Sequence, residues 1–397
     1  MVKIVILTQY FPPEIGAAQV RLESIAQALL RQGHEVIVVT GMPNYPTGRI
    51  FAQYRKKIFV KEKYKGLKLY RSWLISAKEI GIARLLSYIS FTVSSLRFAF
   101  QTARNADYIF VETPPPVLGL SAFLVSRIRG VPFILNIADL WPEWPVRAGM
   151  LKNKAVILFI DILVNFLYKR AAYITVVTKN MKGELVNKRK ISPEKILWLP
   201  NGVDMNLFKP VKPSTKEKKV FLYAGNHGIY NWPVVIVQAA AILKNREDIH
   251  FLLVGDGSQK DEVIRYARDE SLTNVSFLDP VPLEEVPKFF AAAYASLVTY
   301  KKGFPSRPAK LFPALASALP VVYSGEGEGA ALVRERRCGI VVDPEDPLAL
   351  ADAICLLADD EMLAIELGEN GLKLARSEYS WDSIVENWVK ELSNYNS

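Results

Sequence analysis

Apolar residues occur along this chain in two rhythms. Short unbroken runs rich in Val, Ile and Leu read as strands buried on both faces of a parallel sheet. Longer stretches with an apolar position every three to four residues read as helices packed on such a sheet. The first run, Lys3–Thr8, leads into the loop Gln9–Ala18, an amphipathic stretch Val20–Arg31 closed by Gly33, and a second run, His34–Thr40. The strand pattern returns at Asp107–Glu112, Val131–Asn136 and Tyr173–Thr178, with helices expected after Pro114–Pro116 and over Ile157–Lys169. Asn206–Lys219 is polar, basic and proline-bearing, as a linker is, and the pattern then restarts at Val220–Gly228, Ile249–Gly257, Val275–Leu278, Ala295–Thr299 and Pro320–Tyr323. A chain of 397 residues is too long for one ordinary core. The expected fold is therefore α/β, with two Rossmann-like domains in tandem facing each other across a cleft. Ligands are then expected at the carboxyl ends of the strands.

One stretch compresses a site into a single βαβ step. Strand Ala295–Thr299 runs into a basic loop with Ser306, Arg307 and Lys310 at the start of a short helix, where free N–H groups and the dipole favour an anion. The next strand ends in Gly325, Glu326, Gly327, Glu328 and Gly329, which lets backbone approach a ligand and offers carboxylates to its hydroxyls. In the first half, Gly16 opens a helix, and Asp139 and Glu143 follow the strand Val131–Asn136. The absence of GxGxxG in the first unit disfavours a nicotinamide enzyme.

Half of the chain is apolar and 23% is charged, so it folds rather than staying disordered. Its two cysteines form no CxxC, and three scattered histidines argue against a zinc site. The net charge of +10 is uneven: residues 1–200 hold 29 Lys/Arg against 12 Asp/Glu, and residues 201–397 hold 21 against 28. The basic half is suited to an anionic partner. Eight of its basic residues fall within Arg55–Arg71, beside Ile80–Phe100, where Leu85, Leu86, Ile89, Val93, Leu96 and Phe100 recur at helical spacing. That stretch reads as core or as an interfacial helix on anionic lipid. The uncharged runs are too short to span a bilayer, and no leader pattern precedes Lys3. The expectation is a cytoplasmic protein, peripheral on the inner face of the cell membrane. Nucleic acid is the competing partner, but only Phe59, Tyr64 and Tyr70 interleave the basic run, and no nucleic-acid motif accompanies it.

Six motifs in order, YFPPEIG at 10–16, DLWP at 139–142, PNGVD at 200–204, AGN at 224–226, VGDG at 254–257 and PAKLF at 308–312 followed by LPVV at 319–322, span essentially the whole chain. In these the sequence resembles the family-4 glycosyltransferases of the GT-B fold, in the branch that builds bacterial surface polysaccharides. The resemblance implies a retaining transfer from a nucleoside diphosphate sugar, most simply a UDP-sugar, to a lipid-diphosphate-linked or saccharide acceptor. It implies an acceptor-binding domain over 1–200 and a donor-binding domain over 201–375, with a terminal segment 376–397 returning to the first. Asp139, Lys310 and Arg307 are the expected catalytic residues. Gly16, Asn226, Gly228, Gly255, Ser306, Glu326, Gly327 and Glu328 are expected at the donor, and Glu14 and Glu143 at the acceptor. No metal is expected, since protein cations would neutralise the diphosphate and the chain has no DxD triplet. One departure stands out: the family's two glutamates, eight positions apart, are replaced by Pro305 and Pro313. A non-catalytic or degenerate member of the fold remains the alternative.

Overall fold

The computed structural model describes residues 1–14, 16–78, 81–147, 149–210, 218–304 and 309–394. Its contacts divide into two units, Met1–Pro200 with Ile384–Ser397, and Asn201–Ser383.

The first unit contains strands β1 (Lys3–Leu7), β2 (Glu35–Gly41), β3 (Phe59–Tyr64), β4 (Leu67–Ser72), β5 (Tyr108–Thr113), β6 (Phe133–Ile137), β7 (Tyr173–Val176) and β8 (Ile196–Trp198). Among the described residues they form one sheet in the order β3-β4-β2-β1-β5-β6-β7-β8. Every pair is parallel except β3–β4. The apolar runs fill this sheet because helices cover both faces, which lets successive side chains of β1, β5 and β6 all be buried. The basic run Arg55–Arg71 is thus largely an antiparallel hairpin on the sheet edge. Its last member, Arg71, is wholly buried.

The helix Ile82–Thr102 lies on this sheet in an unexpected orientation. Its inward positions are Ser87, Phe91, Ser95, Phe98, Ala99 and Thr102, whereas Ile82, Leu85, Leu86, Ile89 and Val93 face solvent. Apolar spacing finds a stripe but not the direction in which it points. Here the small serines allow close packing, with Ser95 Oγ 3.2 Å from Ser121 Oγ on the neighbouring helix Leu118–Arg129. Ile80 lies outside the described residues. Among those described, no helix is long and apolar enough to cross a membrane.

The second unit contains β9 (Lys219–Ala224), β10 (Ile249–Val254), β11 (Val275–Leu278), β12 (Ala295–Thr299), β13 (Val321–Ser324) and β14 (Gly339–Val342). The described strands form a parallel sheet in the order β11-β10-β9-β12-β13-β14. Strand order reverses at β9, which has β10 on one side and β12 on the other. At such a switch point the loops leave in opposite directions and open a crevice beyond the carboxyl ends. The returning segment joins the first unit later than expected. Residues 376–383 stay with the second unit, where Tyr379 stacks on Phe312 at 4.7 Å and Ser380 bridges Val203. From Ile384 onward the helix Trp381–Asn394 belongs to the first unit, in which buried Trp388 packs edge-on against Phe110.

Candidate functional site

In the first unit, most charged groups at the strand ends already have partners. Glu14 is buried, and its carboxylate accepts hydrogen bonds from the backbone N–H groups of Phe11 (3.3 Å), Asn44 (2.7 Å) and Tyr45 (2.8 Å). Burial raises its pKa, against the opposing pull of those donors. Glu14 therefore ties the loop after β1 to the loop after β2, and both its oxygens are engaged within the protein. Arg71 clamps the same region, donating to the Pro12 and Gly41 carbonyls and pairing with Glu62. Glu143 is paired with Arg189 at 2.5 Å, and Arg189 also holds Asp161, so Glu143 joins two helices, Glu143–Arg147 and Lys179–Arg189. Both expected acceptor carboxylates are thus engaged in holding the fold.

Asp139 differs. It follows β6, is half-buried and has no hydrogen bond among the described residues, and burial raises its pKa. It borders a cavity of about 10 Å3 shared with Trp141 and Tyr168, room for about one water molecule and no more. Beneath it lies a cluster that the sequence did not reveal. Arg21 and Glu112 are buried 3.8 Å apart, and Asn136 connects them, donating to Glu112 and accepting from Thr175. Burial pushes Glu112 up to about 7 despite the Arg21 charge, and lowers Arg21. These residues come from a helix and three different strands, so no local spacing could have signalled them. Gly16 precedes the helix Ala17–Arg31 in extended backbone and makes no side-chain cap.

In the second unit the switch point is occupied by Lys310. Its ammonium donates to Tyr223 Oη and to Asn231 Oδ1, each at 3.1 Å, and lies 4.3 Å from the centre of the Tyr223 ring and 5.1 Å from that of Tyr300. Half-buried as a residue, Lys310 turns its ammonium inward, and burial lowers its pKa to about 7. No carboxylate among the described residues is paired with it. Tyr223, on β9, is completed by donating to the Asn226 carbonyl at 2.7 Å. The helix after Lys310 is only Leu311–Ala316, so the lysine side chain, more than a helix terminus, carries the positive charge here. Ser306, Arg307 and Pro305 lie outside the described residues. Pro313 lies within this short helix.

Around Lys310 the loops are shaped by glycine. A Cβ on Gly255 would lie 1.9 Å from the Gly225 carbonyl oxygen, so this glycine is needed for the approach of two of the protein's own loops. The residue between Asn226 and Gly228, His227, is fully buried, and neither ring nitrogen has a hydrogen-bond partner among the described residues. Burial, with the nearby Lys260 and Lys310 charges, lowers it to about 4, so it is neutral at physiological pH. Its position in a glycine loop is the one sequence signal for it. Asn226 is exposed at the loop tip and Gly228 follows within it. Tyr230 and Phe304 pack at 4.4 Å beside them, and Lys301 lies over Trp232 at 4.5 Å. On the β13 loop, Glu326 is exposed and accepts a long bond of 3.5 Å from the Gly303 N–H, while Gly327 opens the helix Glu328–Glu335. Among the described residues, no three His, Cys, Asp or Glu side chains are grouped to hold a metal ion.

Two family descriptions match the chain, the glycosyl transferase 4-like domain over residues 16–202 and the glycosyl transferases of group 1 over 218–360. Among curated relatives, the probable glycosyltransferase WbjE of Pseudomonas aeruginosa is 27% identical, over 73% of this chain and 74% of its own length. The putative colanic acid biosynthesis glycosyl transferase WcaI of Escherichia coli is 24% identical, over 93% of this chain and 96% of its own. Similar solved structures include sucrose-phosphate synthase from Thermosynechococcus elongatus, with a TM-score of 0.76, 17% identity, and coverage of 100% of this chain and 99% of that one. HepE from Anabaena, solved with UDP and glucose, has a TM-score of 0.72 and 18% identity, covering 99% of this chain and all of its own. At these identities the structures speak for the GT-B fold, and the two family matches together cover both units. The chain belongs to the group 1, or family-4, glycosyltransferases.

Proposed function

We propose that the protein transfers a sugar, with retention, from a UDP-sugar to a lipid-diphosphate-linked or saccharide acceptor during assembly of a cell-surface polysaccharide. The observation that carries this reading is Lys310, an inward-turned ammonium whose hydrogen-bond partners among the described residues are neutral, over the switch point of the second unit. As the glycosidic bond breaks, negative charge grows on the departing diphosphate, and a fixed cation in a sheltered site stabilises that charge far better than water-exposed charge would. Arg307, Ser306 and the β9 and β13 loops complete the donor site, with Asn226, Gly228, Glu326, Gly327 and Glu328 toward ribose and sugar hydroxyls. In the first unit Asp139 accepts a hydrogen bond from the attacking hydroxyl and orients it. HepE, with UDP in its solved structure, supports the choice of nucleotide, and WcaI, named for colanic acid biosynthesis, supports the choice of pathway.

The first unit also contacts an anionic leaflet on the cytoplasmic side. Arg71, Lys65 and Lys68 of the basic run are paired with Glu62, Glu23 and Glu35. Arg55, Lys56, Lys57, Lys61 and Lys63 stay exposed, without an ion pair among the described residues, and the outward stripe Ile82–Val93 adds apolar area. The test is incubation with labelled UDP-sugars, with and without lipid-linked acceptor. Acceptor-dependent transfer is expected. Release of free sugar alone, or no turnover with any UDP-sugar, would overturn the reading.

A further inference from the structure

A buried lysine in a folded protein normally faces a carboxylate, because an unpaired charge away from water costs several kcal/mol. Lys310 does not. The groups that face it are Tyr223 from β9, Asn231 and neutral His227 from the β9 loop, and Tyr300 at the end of β12. Asp256 and Lys260, from the β10 side, act on His227. No carboxylate among the described residues is within ion-pair distance of Lys310, and Glu326 on the β13 loop accepts from the Gly303 N–H instead. Among the described residues, both hydrogen-bond acceptors of the ammonium are uncharged oxygens, and both are oriented by the protein. Tyr223 Oη is turned by its own bond to the Asn226 carbonyl, and Asn231 is fixed by its backbone, whose N–H donates to Gly228 (2.9 Å) and whose carbonyl accepts from Thr299 Oγ1 (2.5 Å).

We propose that Tyr223 and Asn231 are positioning residues which hold Lys310 without a counter-charge, so that the nucleoside diphosphate supplies the missing anion and its capture draws a proton onto the lysine. This rests on the donor-site reading above and adds a mechanism to it. An internal carboxylate would satisfy the ammonium permanently, and an arriving diphosphate would then have to displace it. A neutral cage keeps the ion aimed and unsatisfied. The sign of the pH effect follows. In the empty site burial lowers the lysine to about 7. A bound dianion raises it again, since an adjacent opposite charge favours the charged form. Below the empty-site value the lysine already carries its proton, and its contribution to affinity is flat. Above it each binding event takes one proton from solvent, and affinity falls as pH rises.

Calorimetry with UDP, in two buffers of different ionisation enthalpy, measures this directly. At about pH 8 the wild-type protein is expected to take up close to one proton per UDP bound. Asn231→Asp places a carboxylate of nearly the same shape against the ammonium. Proton uptake should fall toward zero, and at about pH 6.5, where both lysines are charged, UDP should bind at least about tenfold more weakly. Tyr223→Phe keeps the ring and removes the acceptor, and should move the onset of the pH dependence below about 7. A residue with a merely structural role would change melting temperature without changing proton number. If the wild type binds UDP with no proton uptake, or if Asn231→Asp matches it in both affinity and proton number, the inference is overturned and the donor site stands. If the wild type does not bind UDP at all, the donor-site reading fails and takes this inference with it.

Discussion

At the strand ends of the first unit, Glu14 is met by three backbone donors, Glu143 by Arg189, and Glu112 by Arg21 and Asn136. At the strand ends of the second, Lys310 rests between two tyrosine rings and two neutral acceptors. The same kind of sheet, with ligand loops at the same ends, thus treats buried charge in opposite ways. Paired charges lock loops into a shape. An unsatisfied charge stores interaction energy for a ligand that brings the opposite sign. Asp139 apart, the first unit's free charge among these residues lies outside, on and just before the β3–β4 hairpin, whereas Lys310 of the second unit is turned inward.

The largest effect is expected where the first unit's free charge acts. Each basic residue near an anionic leaflet contributes about 1 kcal/mol, so four exposed lysines contribute about 4 kcal/mol of membrane affinity. Charge reversal at Lys56, Lys57, Lys61 and Lys63 should abolish co-sedimentation with anionic vesicles, while the wild-type protein should lose binding progressively as salt rises. Equal binding to neutral vesicles would assign the hairpin another purpose. Next comes Lys310→Ala, which should lower turnover by about a hundredfold or more, on the order of 3 kcal/mol, through loss of one transition-state cation. The melting temperature should hold or rise, since the substitution removes a charge the fold itself does not pair. Unchanged turnover at saturating donor would remove Lys310 from the chemistry.

Glu14→Gln tests the other side of the comparison. An amide offers one acceptor oxygen in place of two and turns its own N–H groups toward backbone donors, so stability should fall by about 2 kcal/mol in a denaturant titration. The acceptor KM should change little if the carboxylate holds loops together. A large rise in acceptor KM at unchanged stability would instead restore Glu14 to the acceptor, as its place in the YFPPEIG motif suggested.

That contrast also marks how far the sequence could be read. The buried parallel strands were legible because covered faces demand continuous apolar runs, and β1, β5, β6 and β12 show them without ambiguity. Strand β4 was not, although its pattern alternates, because the buried position that completes Leu67 and Leu69 is Arg71, and an arginine reads as surface until Glu62 and the Pro12 carbonyl are seen around it. For the helix Ile82–Thr102, spacing marks the apolar stripe, but only the packing shows that its first part, Leu85–Val93, points outward while Leu96 and Phe100 lie against the core. At the site, Lys310 was legible from its motif, but its partners Tyr223, Asn231 and Tyr300 lie on separate segments and only strand order joins them. Carboxylate identity alone could not separate Glu14 and Glu143, which have partners, from Asp139, which has none among the described residues.

The smallest expected effect is none, and it bears on the second unit alone. Many sugar-nucleotide sites hold the diphosphate through a divalent ion bound by carboxylates, and the ion then supplies the charge that a leaving diphosphate needs. Here the side chains turned toward the switch point are a lysine, tyrosines, an asparagine and a neutral histidine. Such a set places no carboxylate beside the lysine for a hard cation to share, and it already provides positive charge itself. Initial rates with a UDP-sugar should therefore be unchanged by excess EDTA, in protein that has been dialysed against chelator beforehand. Loss of activity restored by manganese or magnesium would mean that the diphosphate brings its own counter-ion. Lys310 would then be an auxiliary to that ion, and the difference between the two units would lie in metal recruitment more than in protein charge.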